Sequence, residues 1–380
     1  MKILHVCLSC FYVDNYSYQE NILPKYHKLM GHEVKIIAST ETFNKLGEQA
    51  YTKSYKYINE DGIPVVRLPY VKYMPFSIVR KLRRYQGLSR ELEIYTPDFI
   101  FIHGTEFLDI DKIRDYAQKH DVIIVTDCHT DFSNSARNLL SRYILHGIIY
   151  RHCAKIIEPY VKKMYGVLPA RVDYLRIVFG MPESKTDLLV MGAEDDKVEQ
   201  ASNVEKIKNN RDKYGIKEND FLIVFGGKIN AFKRQILMLM DVVNEINDNN
   251  LKLIIFGSVM QEMKSDIDSR LSHKVKYIGW ANVDQSYDYF AMADVVCFPG
   301  RHSVYWEQVA GMGIPMIVKE WAGTKHIDSG GNIYFLKEDS KKEMRTAIDE
   351  VKNNYMKYKE VAERGKYRFL YSKIAEKSLS

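Results

Sequence analysis

What the chain lacks narrows it first. No apolar run approaches the roughly 18–20 residues that a membrane span needs. The stretch Met1–Cys10 is too short in its apolar part for a secretory leader and reads as a first strand, so the expected address is the cytosol. Cysteine is scarce and odd in number: the five, Cys7, Cys10, Cys128, Cys153 and Cys297, make a poor disulfide framework. Cys7 and Cys10 have CxxC spacing, but no second ligand pair follows for zinc, and a redox pair would sit at a helix start. Buried, unreactive thiols are expected. Ten prolines and 21 glycines exclude collagen-like and Pro-rich linker architectures. Neither a Walker A loop nor a GxGxxG after the first strand is present, which removes P-loop and dinucleotide oxidoreductase chemistry. Asp-x-Asp spacing occurs at Asp109–Asp111 and Asp266–Asp268, but neither is an evident metal motif, so no metal and no cofactor is expected. Fifty-five Lys+Arg against 49 Asp+Glu give +6, too little over 380 residues to point to nucleic acid, and no basic-aromatic module accompanies it.

What is present is a regular alternation. At about 150 residues per domain, 380 residues fit two domains. Hydrophobic residues at 46% and charged residues at 27% are globular proportions and exclude wholesale disorder. Lys2–Leu8, Glu33–Ala38, Pro64–Leu68, Asp98–His103, Asp121–Thr126 and His152–Glu158 read as one series of strands, with a helix over Tyr18–Met30 stopped by Gly31. The series restarts at Phe221–Phe225 and continues through Leu251–Phe256, Lys276–Ile278, Asp294–Phe298, Pro315–Val318 and Asn332–Leu336. Buried runs separated by helices predict an α/β chain with two doubly wound, Rossmann-like domains. The first is placed at 1–180 and the second at 181–365, with a hinge near Phe179–Glu183. A final helix at 366–380 is expected to pack back on the first domain. Open α/β sheets bind ligands beyond the carboxyl ends of their strands, so two such domains facing each other define a cleft.

The strongest local signal is Phe225-Gly226-Gly227-Lys228-Ile229-Asn230-Ala231-Phe232-Lys233. It follows a buried strand and precedes a helix with Ile236, Leu237, Leu239, Met240 and Val243 near one stripe. Gly226 and Gly227 permit close backbone approach. Lys228 and Lys233 flank the turn beside a helix start, an arrangement suited to a diphosphate whose charge grows as it leaves. A plain strand–turn–helix with solvated lysines fits the same residues. A second strand–loop–helix runs from Asp294 through Pro299-Gly300-Arg301-His302-Ser303 to Met312. Ser303 is placed as its N-cap, leaving amides near Val304 and Tyr305 for phosphate oxygens. Glu307 lies one turn deeper on the same face and could accept two hydrogen bonds from a ribose diol. A solvent-facing glutamate on an ordinary helix has the same spacing.

Taken together, these segments resemble GT-B glycosyltransferases of the retaining family-4 type (glycosyltransferase group 1). GGKINAFK (226–233) is similar to that family's G-R-x4-K-G element, with Lys228 at the arginine position and Lys233 at the lysine. Residues 289–318 (YFAMADVVCFPGRHSVYWEQVAGMGIPMIV) resemble its A-D-x4-P-S … E-A-M-A-x-G-x-P-V element. LMGHEVKII (29–37), IFGS (255–258), YIGW (277–280) and AGTKHIDSGGNIYFL (322–336) extend the resemblance over essentially the full chain. Pro299 stands where the family's first glutamate would be if Glu307 is the second. Counting back from Pro315 puts Gln308 at the second position instead, and the ribose chemistry favours Glu307.

The resemblance implies a GT-B fold and transfer of a sugar from a nucleotide diphosphate, UDP by family weight, with retained configuration and without metal. The acceptor it implies is a glycan or lipid-linked glycan of the cell envelope. Lys228 and Lys233 would hold the diphosphate, and Gly226, Gly227, Ser303, Val304 and Tyr305 would line it. Ile278 and Trp280 would flank the base and Glu307 the ribose. His103, ending the strand PDFIFIH, resembles the family histidine that contacts the donor sugar by backbone or ring. The resemblance also assigns the acceptor to the N-terminal domain, where Tyr16, Tyr18, Gln19 and Glu20 follow the first strand. Their aromatic faces and polar groups suit a carbohydrate, and surface tyrosines at a helix start would look the same. His129 and Asp131, at the end of the next strand, join that side. Arg80, Lys81, Arg83 and Arg84 beside Ile78, Val79 and Leu82 suggest contact with an anionic membrane, or a solvated helix face. Two further functions share these features: a GT-B sugar-nucleotide epimerase, and a non-catalytic glycosyltransferase-like partner protein.

Overall fold

The computed structural model describes residues 1–44, 48–131 and 141–380. The chain divides into two compact units, Met1–Val190 with Ala375–Ser380, and Met191–Ile374. Among the described residues of the first unit ten strands are formed: β1 (Lys2–Cys7), β2 (Glu33–Ser39), β3 (Glu41–Phe43), β4 (Gln49–Tyr51), β5 (Lys56–Ile58), β6 (Pro64–Leu68), β7 (Phe99–His103), β8 (Ile123–Cys128), β9 (Val161–Gly166) and β10 (Thr186–Leu188). Eight of them join in the order β10-β9-β8-β7-β1-β2-β6-β5, parallel except for the antiparallel β5–β6 edge. Strands β3 and β4 make a separate antiparallel pair.

The central strands read as continuous apolar runs because both faces are covered. Leu4, Val6, Ile100, Ile102 and Ile124 are all buried, packed with Tyr85, Phe107 and Ile113 from the flanking segments. Each fully buried side chain of this size contributes about 1.5–3 kcal/mol by leaving water. Two readings of the sequence need correction. His152–Glu158 is not a strand: Arg151–Ile157 is a helix, burying Cys153, Ala154 and Ile157 at helical spacing, and the strand that follows is Val161–Gly166. Thr186–Leu188, absent from the series of strands read from the sequence, is the edge strand beside β9.

The second unit has six strands, β11 (Phe221–Gly226), β12 (Leu251–Phe256), β13 (Val275–Tyr277), β14 (Val295–Phe298), β15 (Met316–Lys319) and β16 (Ile333–Leu336). They form one wholly parallel sheet in the order β13-β12-β11-β14-β15-β16. Local signals start its helices where they are expected. Asn282 and Gln285 form a reciprocal capping box for the helix Val283–Ala291, and Ser340 caps Lys341–Asn353.

In each sheet the chain leaves its first strand in one direction and later returns on the other side. That switch falls between β1 and β7 in the first unit and between β11 and β14 in the second. Loops diverge there, and crevices form outside the carboxyl ends of the strands.

Candidate functional site

In the second unit the switch point holds a pocket lined by Gly226 and Lys233 on the β11 side and by Pro299, Gly300, Arg301 and Ser303 on the β14 side. The two glycines do different things. A Cβ on Gly226 would stand 2.3 Å from Cζ of Phe256 and 2.7 Å from that of Phe290, so glycine lets two buried rings pack beneath the pocket. Gly227 has open space around it but a φ of +141°, which only glycine adopts readily. The turn that follows places Lys228 in solvent and Lys233 half-buried in the pocket. Burial, and then repulsion by Lys228, hold the Lys233 ammonium below the usual lysine range.

Arg301 is the cation that sequence reasoning missed. It sits in the loop after β14 with its guanidinium 5.4 Å from the Phe232 ring. Only the pairing of β14 with β11, which are distant in sequence, brings it beside Lys233. The helix after this loop spans Tyr305–Gly311, and the Tyr305 amide reaches the Ser303 hydroxyl at a long 3.5 Å. Val304 is exposed, whereas Tyr305 is half-buried with its ring packed on Phe290. Ile278 is half-buried after β13, and Trp280 is 68% exposed.

Glu307 is fully buried beneath this loop. Its Oε1 lies 2.8 Å from Nε2 of His302 and 2.8 Å from Nε2 of His326, and its Oε2 meets no partner among the described residues. Burial works against the charge, yet the two histidines outweigh it and bring the carboxyl down to about 2. Gln308 turns the other way, its amide donating to Ser286.

In the first unit the β1/β7 switch point gathers Ser9, Glu106 and Arg83. Ser9 Oγ donates to Glu106 Oε2 at 2.9 Å, and Arg83 Nη1 donates to Ser9 Oγ at 2.8 Å and to the Glu106 carbonyl at 3.0 Å. Arg83 is therefore not a surface cation: it follows the helix Phe76–Leu82 with a φ of +52°, turned into the unit. Arg84 is likewise drawn toward Asp109 and Asp111, and only Arg80 and Lys81 of the four basic residues stay exposed.

Tyr16 and Tyr18 are exposed and pack together with ring centroids 5.4 Å apart. Gln19 and Glu20 are buried at the start of the helix Gln19–Leu29; both atoms of the Gln19 amide lack partners among the described residues, and burial pushes the Glu20 carboxyl up. Asp131 receives Nε of Arg171 at 3.2 Å. The His103 ring is enclosed, with Nδ1 on Asp127 at 2.8 Å and Nε2 on His5 at 3.0 Å, so any ligand contact at this position falls to its backbone. His129, whose side chain is 31% exposed, reaches Asp127 at 3.3 Å.

Two sets of metal-type ligands stand close, His302–Glu307–His326 and His103–Asp127–His129, with ligand atoms within 4.8 Å. Neither fits an ion well. Metal-bound imidazoles anchor their second nitrogen, whereas Nδ1 of His326 is buried without a partner among the described residues. His103 has both nitrogens engaged and no lone pair to spare.

Two parallel α/β units, each with a polar cluster at its switch point, make up the GT-B fold. Residues 220–354 match the family described as Glycosyl transferases group 1, the segment that holds the Lys233 pocket. An uncharacterized glycosyltransferase of Methanocaldococcus jannaschii is 26% identical over 157 residues, a match spanning 40% of this chain and 40% of that protein. Two solved structures are similar over nearly the whole length. A glycosyltransferase from Rickettsia africae superposes with a TM-score of 0.68 at 13% identity, covering 100% of this chain and 96% of that one. Anabaena HepE in complex with UDP gives 0.66 at 14% identity, covering 99% and 98%.

Proposed function

We propose that the protein transfers a sugar from a nucleotide diphosphate sugar, UDP-linked, to a glycan or lipid-linked glycan of the cell envelope, retaining the anomeric configuration. The observation that carries this reading is the pair of cations, Lys233 and Arg301, at the β11/β14 switch point inside the segment that matches the family. The diphosphate would lie between them, with the Ser303 hydroxyl and the glycine turn beside it. Charge accumulates on the leaving diphosphate as the sugar becomes oxocarbenium-like, and fixed cations in a water-poor pocket stabilise that charge without a metal. The departing phosphate would take the acceptor proton on the same face of the sugar. Trp280, exposed after β13, offers a face for the base. The HepE structure with UDP-glucose supports a UDP-linked donor for a chain of this fold.

Glu307 would meet the ribose through Oε2, the oxygen its histidines leave unused, once the loop around His302 admits the ligand. On the first unit, Tyr16, Tyr18, Gln19, Glu20, His129 and Asp131 would face the acceptor. The unpartnered Gln19 amide gives this side an unmet demand for hydroxyl partners. No described helix is long and apolar enough to cross a membrane. Contact with the inner membrane face would therefore be peripheral, through Arg80 and Lys81 beside exposed Phe76 and Ile78.

The test is thermal-shift binding with UDP, GDP, dTDP and ADP. At a hundredfold excess over its dissociation constant, one bound nucleotide stabilises by about 2.7 kcal/mol. A shift with one nucleotide, clearly reduced in Lys233→Ala, is expected. No shift with any of the four in a folded sample would leave the non-catalytic reading. Conversion of a nucleotide sugar to UDP and an altered sugar without acceptor would mark an epimerase.

A further inference from the structure

The first unit contains a buried line of polar contacts that neither candidate pocket requires. Three neighbouring strands place His5, His103 and Asp127 on one sheet face: His5 stands opposite Phe101, two residues before His103, and His103 stands opposite Asp127. The helix Gln19–Leu29 adds His27 above them, and Ser378 comes from the final helix. Ser378 Oγ is 2.8 Å from Nε2 of His27, Nδ1 of His27 is 3.0 Å from Nε2 of His5, and Nδ1 of His5 is 3.0 Å from Nε2 of His103. Nδ1 of His103 is 2.8 Å from Asp127 Oδ2. All five side chains are essentially inaccessible to solvent.

The carboxylate fixes the direction. Asp127 is ionised, because its histidine partners outweigh the opposing effect of burial, and so it only accepts. His103 must then carry its proton on Nδ1, which makes Nε2 of the neutral ring an acceptor for Nδ1–H of His5. The same logic passes to His27 and ends at the Ser378 hydroxyl, so four protons fill four bonds with none left over. Burial, reinforced at each ring by neighbouring histidines, lowers the pKa values of His5 and His27 and favours this neutral state. The reverse direction, with Ser378 donating to the Ala375 carbonyl at 2.8 Å, would set a bare His103 lone pair against the carboxylate unless an extra proton entered.

We infer that Ser378, His27 and His5 are positioning residues: a one-way hydrogen-bond chain running Ser378→His27→His5→His103→Asp127. It holds the histidines as their Nδ1–H tautomers and fixes the carboxylate that orients His129. His129 is the partly exposed end of the line, on the candidate acceptor side. The charged groups that face it are Asp127 from β8, Glu20 from the helix Gln19–Leu29 and Arg171 from the helix Pro169–Ile177, with Asp131 on its own loop. Burial disfavours a charged His129, but the Asp127 carboxylate outweighs it and raises the ring above its ordinary value, leaving a cationic donor for an acceptor hydroxyl or phosphate oxygen. That last consequence rests on the function proposed above; the tautomers do not.

The experiment is nitrogen-15 histidine NMR on the full chain without nucleotide, assigned with single-histidine variants. His5 and His27 should each show a protonated Nδ1 and a bare Nε2 from pH 6 to pH 8, and His103 a protonated Nδ1, while His129 titrates above its ordinary value. An Nε2–H form or a titration at His5 or His27 would overturn the chain. His5→Phe keeps a ring stacked on Phe101 and removes both bonds. Cooperative strengthening of roughly 10–30% per bond is then lost from His103–Asp127, and the His129 midpoint should rise by a few tenths of a pH unit. A midpoint unmoved in a folded His5→Phe protein would show the chain to be structural filling only. Should that variant not fold, Ser378→Ala decides: Asp127 still sets the direction, so His5 and His103 keep Nδ1–H, and a reversal to Nε2–H refutes the inference. A failure to bind nucleotide with these tautomers intact would count against the proposed function alone.

Discussion

Lys233→Ala should weaken binding of a nucleoside diphosphate about tenfold to a hundredfold, and Lys228→Ala by no more than about fivefold. The sequence ranks the two lysines equally, since both flank the same glycine turn. The structure separates them: Lys228 is in solvent, while Lys233 is half-buried beside Gly226 and Arg301. Burial depresses the Lys233 pKa, Lys228 adds repulsion, and no carboxylate offsets either effect. An arriving diphosphate supplies the missing partner through a charge-assisted hydrogen bond of about 1.5–3 kcal/mol, or one to two decades of affinity. A solvent-exposed ion pair contributes about 0–1 kcal/mol, which sets the smaller limit.

The assay is calorimetric titration of UDP, run at neutral and alkaline pH. Binding raises the pKa of Lys233, so proton uptake should accompany it under alkaline conditions. Affinity should fall as pH rises through the depressed value of the free lysine, and Lys233→Ala should lose that part of the pH dependence. Equal losses in the two variants, or none in either, would refute the placement of the diphosphate.

Three further outcomes follow from the geometry. Gly226→Ala forces a methyl group into the Phe256 and Phe290 rings and should cost about 1–3 kcal/mol by overpacking, read as a lower denaturation midpoint; an unchanged midpoint would show that the rings yield freely. Glu307 has a carboxyl depressed from 4.5 to about 2, worth about 3 kcal/mol that is fully present above pH 4.5 and lost as pH falls toward 2. The stability gap between the natural protein and Glu307→Gln, measured by denaturant unfolding, should therefore narrow below pH 4.5, and a gap constant down to pH 3 would contradict the two-histidine clamp. Arg80→Ala with Lys81→Ala should weaken binding to anionic vesicles about thirtyfold at unchanged thermal midpoint, at about 1 kcal/mol per cation. Arg83→Ala should instead lower the midpoint, because it strips Ser9 and the Glu106 carbonyl of a buried donor; the opposite pattern would mean that Arg83 faces the membrane.

The doubly wound architecture was legible because parallel strands buried on both faces, such as β1, β7 and β11, are near-continuous apolar runs. Arg151–Ile157 was misread for the reason that short apolar runs do not reveal their period. Thr186–Leu188 escaped because a three-residue edge strand carries almost no apolar signal. Glycine turns and strand-end loops pointed to residues that line the β11/β14 pocket, since they are local features. Arg301 beside Lys233, and Ser9 beside Glu106, depend on which strands become neighbours, and no local pattern encodes that. His5 and His27 looked like incidental members of a strand and a helix. Their alignment with His103 is a property of register, and so is the inward turn of the His103 ring.

The return of Ala375–Ser380 to the first unit carries a consequence for how the protein is made. The first 190 residues leave the ribosome well before the segment that completes them, with the 184 residues of Met191–Ile374 between. At about 5–20 residues per second this is a wait of roughly 10–40 s. Throughout it, the nascent unit has an open seat where the last helix belongs, and His27 faces that seat with its Nε2 unmatched. The first unit is not a continuous stretch of chain that could be excised whole, whereas the second, Met191–Ile374, is. The first is closed only after the second has been synthesised, so the order of translation makes the last turn of helix the keystone of the domain that began the chain.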